Sequence, residues 1–242
     1  MRALRPDEAR CVRVWMEEGM EAMSGMGDAM TPARPAALDD VVFDCCGVLV
    51  DWHPRLALEG LYPAGELDGF FADDDRCGFM YFDDLHDRGM DYDRLCDAYE
   101  EEYGARLGAM MRAYAGRVDR TLAGTVPGMT ALLADLKACG VGVWCLTNWG
   151  RDVWPVLRDR FPGLFGMMDG VVVSGVEGVA KPDAAAFDLA VARFGLDRAR
   201  TAFVDDSPYN VDGAIAAGLQ AVRFSSAADT RHWLAGRGAL RP

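Results

Sequence analysis

Lysine is nearly absent from this 242-residue chain. Of its 25 basic residues only Lys137 and Lys181 are lysine and the rest are arginine. A lysine retained in a loop after an apolar run therefore marks a place where a compact ammonium is wanted rather than a planar guanidinium. Lys137, just ahead of Ala138-Cys139-Gly140, has an ordinary explanation as a cation near a helix C-terminus. Lys181 is left to account for. No apolar run approaches the ~18 residues of a membrane span. A basic stripe is also missing, and the net charge of -13 argues against nucleic acid or an anionic membrane surface as partner. An anionic small molecule is still admissible wherever local cations receive it. The seven cysteines are an odd number without CxxC spacing, which fits a reduced, cytoplasmic protein better than a disulfide framework or a zinc site. Cys45 and Cys46 are adjacent, and alternation at a strand end turns their side chains opposite ways, so Cys45 is expected in the core. Met1 to Gly27 carries acidic residues and no continuous apolar stretch, so no secretory signal is expected.

A chain of this length with 51% hydrophobic residues can bury one large core or two smaller ones, which points to one domain plus an inserted module. Residues 1–38 read as an N-terminal extension, with a short helix between Pro6 and Met23 and a linker from Thr31 to Pro35. Beyond it, apolar runs predict strands at 41–45, 141–146, 170–174, 201–205 and 220–224. Helices are predicted at 128–139, 151–160, 183–194 and 208–217. Strands alternating with helices of that length imply right-handed crossovers and a parallel α/β sheet covered on both faces. From Asp44 to Thr147 the chain is far longer than one crossover helix requires. Residues 56–124 must then form a unit of their own, inserted between core segments 39–55 and 125–242. Tyr92-Leu95-Cys96-Tyr99 and Leu107-Met110-Met111-Tyr114 recur there at helical spacing, with no strand-like alternation. Its acidic stretches, Asp73-Asp74-Asp75 and Asp83-Asp84, read as a solvated face or a helix start rather than a metal site.

The chemistry gathers at strand ends. The run Val41-Val42-Phe43 ends in Asp44, and Ala202-Phe203-Val204 ends in Asp205-Asp206. In a doubly wound sheet such ends share one edge, where ligands bind. Asp44 beside an acidic pair is repulsive unless a cation sits among them, and Mg²⁺ suits an all-oxygen donor set of this kind. Thr147 and Asn148 follow the run 141–146, and Lys181 follows Val171-Val172-Val173. A hydroxyl, an amide and an ammonium there suit a phosphoryl group, whose transfer depends on positioning and charge neutralisation.

In that order and spacing, the segments FDCCGVLVDW, Leu146-Thr147-Asn148, Ala180-Lys181-Pro182-Asp183 and Val204-Asp205-Asp206 resemble the signature of the haloacid dehalogenase-like (HAD) hydrolase superfamily. The resemblance runs from about Asp40 to Phe224. It implies a Rossmann-like core with the Asp44 strand at its centre and a small helical cap inserted after the first strand. It further implies that Asp44 is the nucleophile of an aspartyl-phosphate mechanism, with Thr147 and Lys181 as its catalytic partners. The phosphate would be cradled by Cys46, Gly47, Thr147, Asn148 and Lys181. Mg²⁺ would be held by Asp44, the backbone carbonyl of Cys46 and one or both of Asp205 and Asp206. The implied substrate is a small phosphorylated metabolite, with sugar phosphates first in line.

One position departs from the pattern. Most HAD phosphatases carry a second Asp two residues after the nucleophile, to protonate the leaving alkoxide and then activate water, and this chain has Cys46 there. A thiol with an ordinary pKa near ~8.5 is a poor substitute, and general acid-base help is worth ~10²- to 10⁴-fold. The acid must come from elsewhere or the enzyme must be slow; Asp51, seven residues after Asp44, is the nearest carboxylate downstream, although a turn or cap role is expected for it. The phosphatase subgroup that the chain resembles also lacks the second Asp. A 2-haloacid dehalogenase is the first alternative, although such enzymes use no Mg²⁺ and replace the acidic pair with neutral residues. A phosphonatase would need a cap lysine, which 56–124 lacks. A phosphoglucomutase-like activity would need the missing acid. A non-catalytic scaffold would leave Asp44, Thr147, Lys181 and the acidic pair without purpose. Trp52, His53, Arg55, Trp149 and Arg151 flank the motif loops and are expected where the cap meets the core.

Overall fold

The structure is a computed structural model that describes residues 37–240. The N-terminal helix and linker expected before Pro35 lie outside the described residues. The strands are β1 (Asp40–Phe43), β2 (Val50–Trp52), β3 (Leu122–Thr125), β4 (Gly142–Thr147), β5 (Gly170–Val173), β6 (Thr201–Asp205) and β7 (Gln220–Arg223). Between β2 and β3 lie helices α1 (Ala64–Phe70), α2 (Phe79–Asp87) and α3 (Tyr92–Ala115). After β3 come α4 (Met129–Ala138), α5 (Trp154–Arg160), α6 (Pro162–Phe165), α7 (Ser174–Glu177), α8 (Ala184–Phe194), α9 (Pro208–Ala216) and α10 (Ala227–Ala235).

Continuous apolar runs make strands that must be buried on both faces, and five of them form a parallel sheet in the order β5-β4-β1-β6-β7. Alternation along each strand splits the core in two. Val42, Leu146, Val172 and Phe203 pack with Phe187 and Ala190 of α8 and Ala214 of α9. Val41, Phe43, Val143, Cys145 and Val204 face the other way, with Leu132, Leu133 and Leu136 of α4 and Leu234 of α10. Cys45 belongs to this second core, fully buried as expected. Register does the rest. Phe43 is level with Cys145 and Val204, so Asp44, Thr147 and Asp205 all emerge within a step or two at the carboxyl edge.

The expected α5 helix starts later than residue 151, at Trp154, because Pro155 occupies its first turn, where a missing N–H costs nothing. The antiparallel pair β2 and β3 departs from expectation. Val50 lies opposite Thr125, Asp51 opposite Gly124 and Trp52 opposite Leu122, with a register shift between Asp51 and Trp52. Part of β3 thus falls within residues 56–124, where no strand was expected. The segments Val50-Asp51-Trp52 and Leu122-Ala123-Gly124-Thr125 are too short and irregular to show a two-residue period. The ribbon brackets the insertion, bringing its first and last residues side by side.

Inside the insertion, both helical patterns of the sequence lie in α3. Leu95, Cys96, Tyr99, Met110, Met111 and Tyr114 are buried, and the two halves meet at Gly104, where φ 83° and ψ 168° break the helix. Its core is aromatic, with Phe79 edge-on to Tyr114 at 5.0 Å and Phe82 edge-on to Tyr99 at 4.9 Å. Asp75, at φ 48°, accepts from the backbone N–H groups of Met80 and Tyr81, so this part of the acidic stretch does start a helix. No helix among the described residues is long and apolar enough to cross a membrane.

Candidate active site

Lys181 is the centre of the carboxyl edge. Its side chain is 1% exposed, and its Nζ donates to Asp44 Oδ1 at 2.6 Å and to Asp205 Oδ2 at 2.7 Å. An ammonium so buried is tolerable only because two carboxylates face it. They hold its pKa above the ordinary lysine range against the opposing effect of burial. The loop that delivers Lys181 is fixed by Asn148, whose Nδ2 donates to the Lys181 carbonyl and whose Oδ1 accepts from the Lys181 N–H, both at 2.9 Å. Both ends of the Asn148 amide are thereby committed to the backbone. Thr147 is fully buried at the end of β4, with its hydroxyl 3.4 Å from the Asn148 carbonyl oxygen.

Asp205 is fully buried and saturated. Oδ1 accepts from the Ser207 N–H at 2.8 Å and from Asn210 Nδ2 at 3.1 Å, and Oδ2 accepts from Lys181 and from Asn210. Asp206, its neighbour, is exposed. Candidate ligand oxygens of Asp44, Asp205 and Asp206 lie within 4.8 Å of one another. Burial, opposed by Lys181, raises Asp44 to a pKa of about 7. Burial and the charge of Asp205 raise Asp206 as well. Three crowded carboxylates set against one ammonium leave negative charge uncompensated, which fits a hard divalent cation with oxygen ligands. Gly47 leaves the space this arrangement needs. Its φ of 89° suits glycine, and a Cβ there would come within 2.7 Å of Asp206 Oδ2.

Above this edge lies a cavity of about 300 Å³, lined from the core by Asp44, Cys46, Gly47, Trp52, Asn148, Trp149, Lys181, Asp206 and Asn210. The insertion supplies Met80, Asp83, His86, Asp87, Tyr92 and Tyr114. Of the residues expected where insertion meets core, Trp52 and Trp149 line the cavity and the others are bonded elsewhere. His53 pairs with Asp51 at 2.9 Å, Arg55 with Asp68 at 2.8 Å, and Arg151 Nε donates to the Gly175 carbonyl. Among the described residues lining the cavity, Lys181 is the only lysine or arginine.

Asp83 corrects the reading of its stretch as a solvated face or helix start. It lies in the cavity wall, where burial, opposed by His86, raises it to a pKa of about 6. Asp87 is a residue that sequence reasoning missed, and burial together with Asp83 and Asp84 holds it well above the carboxylate range. A signal was present, since Asp83, His86 and Asp87 stand at i, i+3 and i+4 and must share one helical face. The insertion is bolted to the core beside them. His86 Nε2 and Asp152 Oδ1 meet at 2.6 Å, Asp152 Oδ2 accepts from the Tyr92 N–H at 3.1 Å, and the His86 ring stacks on Tyr92 at 3.8 Å. Gly150 makes room for this, because a Cβ there would overlap the His86 ring at 1.9 Å.

The fold and the ordered motifs agree with sequence comparison. A profile described as haloacid dehalogenase-like hydrolase matches residues 39–218, and the chain belongs to that family of hydrolases. It is 33% identical over 129 residues to a phosphoserine phosphatase of Thermus thermophilus, covering 52% of this chain and 51% of that protein. It is 32% identical over 102 residues to the sesquiterpene phosphatase astK of Aspergillus oryzae, covering 42% of this chain and 52% of that protein. The chain spans about half the length of these curated relatives. Among solved structures, a HAD family enzyme of Bacteroides thetaiotaomicron superposes with a TM-score of 0.64 at 18% identity, over 81% of this chain and 98% of that one. The L-2-haloacid dehalogenase of Xanthobacter autotrophicus superposes at 0.59 and 24% identity, over 82% and 83%. At these identities the superpositions speak to the fold.

Proposed function

We propose that the chain is a Mg²⁺-dependent phosphomonoester hydrolase that works through an aspartyl-phosphate on Asp44. The observation that carries this reading is the trio Asp44, Asp205 and Asp206, crowded within 4.8 Å around one buried ammonium at the floor of a cavity. Asp44 and Asp206, with the backbone carbonyl of Cys46, would hold the metal. Asp205 has its oxygens engaged by Lys181, Ser207 and Asn210 and serves to place Lys181. The metal, when bound, neutralises phosphoryl oxygens and lowers the repulsion that an anionic nucleophile meets. Asp44 attacks phosphorus in line, Lys181 stabilises the equatorial charge, and Thr147, Gly47 and the loop after Cys46 frame the phosphate. Asn148 contributes by holding the Lys181 loop.

Support also comes from relatives named as phosphatases and from the Bacteroides thetaiotaomicron enzyme, one form of which is a complex with magnesium and inorganic phosphate. Dehalogenation attacks carbon and has no use for the acidic pair, so the trio disfavours it. The inserted helices act as the cap, and a cavity of about 300 Å³ suits a small ester such as a sugar phosphate. Hydrolysis of p-nitrophenyl phosphate with Mg²⁺ tests the reading. Asp44→Asn should abolish turnover, which should also vanish in EDTA; full activity in either case sinks it. A 2-haloacid turned over without metal would favour the dehalogenase reading instead.

A further inference from the structure

We propose that Asp87, carried by the inserted helix α2, is the general acid and base that Cys46 cannot be: it protonates the leaving alkoxide and then takes a proton from the attacking water. The proposal rests on the phosphatase reading above and supplies the group that reading lacks.

The need is local. Cys46 stands two residues after Asp44 and lines the cavity. Its contact with Cys45 favours the thiolate, but burial and the charges of Asp44 and Asp87 outweigh this and push the thiol up. A thiol held above its ordinary range is a still weaker acid. The remaining proton carriers in the wall can be compared one by one. Tyr92 and Tyr114 are both raised well above the phenol range, chiefly by burial. His86 is committed to Asp152 at 2.6 Å and stacked on Tyr92. Asp83 lies one helical turn before Asp87, and the side chains that act on it are His86 and Asp84. Asp87 faces the core, with the charges of Asp44, Lys181 and Cys46 acting on it or feeling it directly. Among the described residues no hydrogen bond or salt bridge engages its carboxyl, which borders the cavity.

Its backbone is positioned by the same loop that positions Lys181. The Asp87 carbonyl accepts from Ser174 Oγ at 2.6 Å, and that oxygen accepts from the Trp149 N–H at 3.0 Å. Trp149 follows Asn148, which holds the Lys181 backbone. Two residues on, Gly89 passes close enough to the core that a Cβ would lie 3.3 Å from the Gly175 carbonyl oxygen. Burial, then Asp83 and Asp84, hold Asp87 well above the ordinary carboxylate range, while Lys181 opposes them. An upward shift favours the acid form that a proton donor beside the cavity needs.

An Asp44 oxygen forms a bond to phosphorus, and the bond from phosphorus to the ester oxygen breaks with its electron pair going to that oxygen. The oxygen takes the Asp87 proton and leaves as alcohol. The Asp87 carboxylate then accepts one proton from water as the water oxygen bonds to phosphorus. The bond from phosphorus to Asp44 breaks, returning the Asp44 carboxylate and inorganic phosphate.

Two esters separate this role from a structural one. Glycerol 2-phosphate releases a basic alkoxide, and p-nitrophenyl phosphate releases a phenolate that needs little protonation. With Mg²⁺ present, Asp87→Asn should lower kcat on the alkyl ester by ~10²- to 10³-fold and on the aryl ester by less than ~10-fold. Cys46→Asp in the Asp87→Asn background should recover at least ~10-fold on the alkyl ester, since it restores a carboxyl at the customary place. Equal losses on the two esters in a folded Asp87→Asn protein overturn the proposal. So does an alkyl-selective loss in Asp83→Asn that Asp87→Asn lacks, or a double variant without recovery while Cys46→Asp alone is active. Wild-type protein that hydrolyses neither ester overturns the phosphatase reading instead, which the comparison of variants cannot be mistaken for.

Discussion

The two walls of the cavity handle charge in opposite ways. At the sheet edge the buried charges have assigned partners: Lys181 is shared between Asp44 and Asp205, and Asp205 takes further bonds from Ser207 and Asn210. On the inserted helix α2, Asp83 and Asp87 face the same space with no ammonium or guanidinium of their own, and burial raises both. The difference separates two tasks. A fully bonded network holds still, which on the proposed reading suits a nucleophile and a phosphate site that must not move. A carboxyl raised by burial gives up its proton at higher pH than an ordinary one, which on the proposed reading suits the end of the reaction that changes from substrate to substrate.

If the sheet edge is the rigid half, removing Lys181 should have the largest effect. Lys181→Met leaves Asp44 and Asp205 buried against each other, a loss of ~3–5 kcal/mol by analogy with broken buried pairs. Activity should fall by ~10²- to 10³-fold or more. Chemical denaturation and turnover measured together check it, and a variant as stable as wild type would show that the network is not the anchor.

Asp206→Ala should separate function from stability. It removes one charge from a repulsive trio, so the metal-free protein should be at least as stable as wild type while Mg²⁺ binding is lost. Isothermal titration reads the second part. Wild-type Mg²⁺ affinity in the variant would move the metal elsewhere.

The contrast also explains what was legible in the sequence. The five core strands were readable as apolar runs, and Asp44, Thr147, Asp205 and Asp206 because they end such runs or directly follow one at a fixed register, while Lys181 stood out as one of only two lysines, in a loop after such a run. Parallel pairing then forces the strand-end residues to one edge. The insertion offers no such rule. Its acidic residues look alike in sequence, yet Asp75 starts a helix, Asp84 pairs with Arg88, and Asp83 lines the cavity. Helical periodicity tells which residues share a face, and the fold tells what that face meets. The bonds between α2 and the core, His86 with Asp152 and the Asp87 carbonyl with Ser174, join residues 66 and 87 apart in the chain. No local pattern announces them.

Those bonds can be cut without touching the sheet edge. Asp152→Ala leaves the His86 ring and the Tyr92 N–H without an acceptor, at a cost of ~1–3 kcal/mol. Hydrogen exchange should quicken in α2 and the first turn of α3 and stay unchanged in β1. Equal quickening in both regions would mean that the insertion and the sheet open as one unit.

The smallest effect should be a pH-dependent gain from Asp83→Asn. The folded pKa of Asp83, about 6, lies above the ordinary 3.8, so the folded state disfavours its charged form. Below pH ~3.8 both states are protonated and nothing is lost; the penalty grows as pH rises toward 6 and is complete above it. A shift of this size corresponds to at most ~3 kcal/mol, and screening at a half-buried position brings the expectation to about 1 kcal/mol. Asp83→Asn should therefore unfold at a higher temperature than wild type at pH 7 and at the same temperature near pH 4. Asp87 should reinforce the trend, because Asp83 is among the charges that raise it. Thermal unfolding at several pH values measures the difference directly. A gain that is constant with pH would mean that the amide packs better for reasons unrelated to charge. A loss at pH 7 would mean that the Asp83 carboxylate has a cationic partner after all, and that the two walls of the cavity are more alike than their partners indicate.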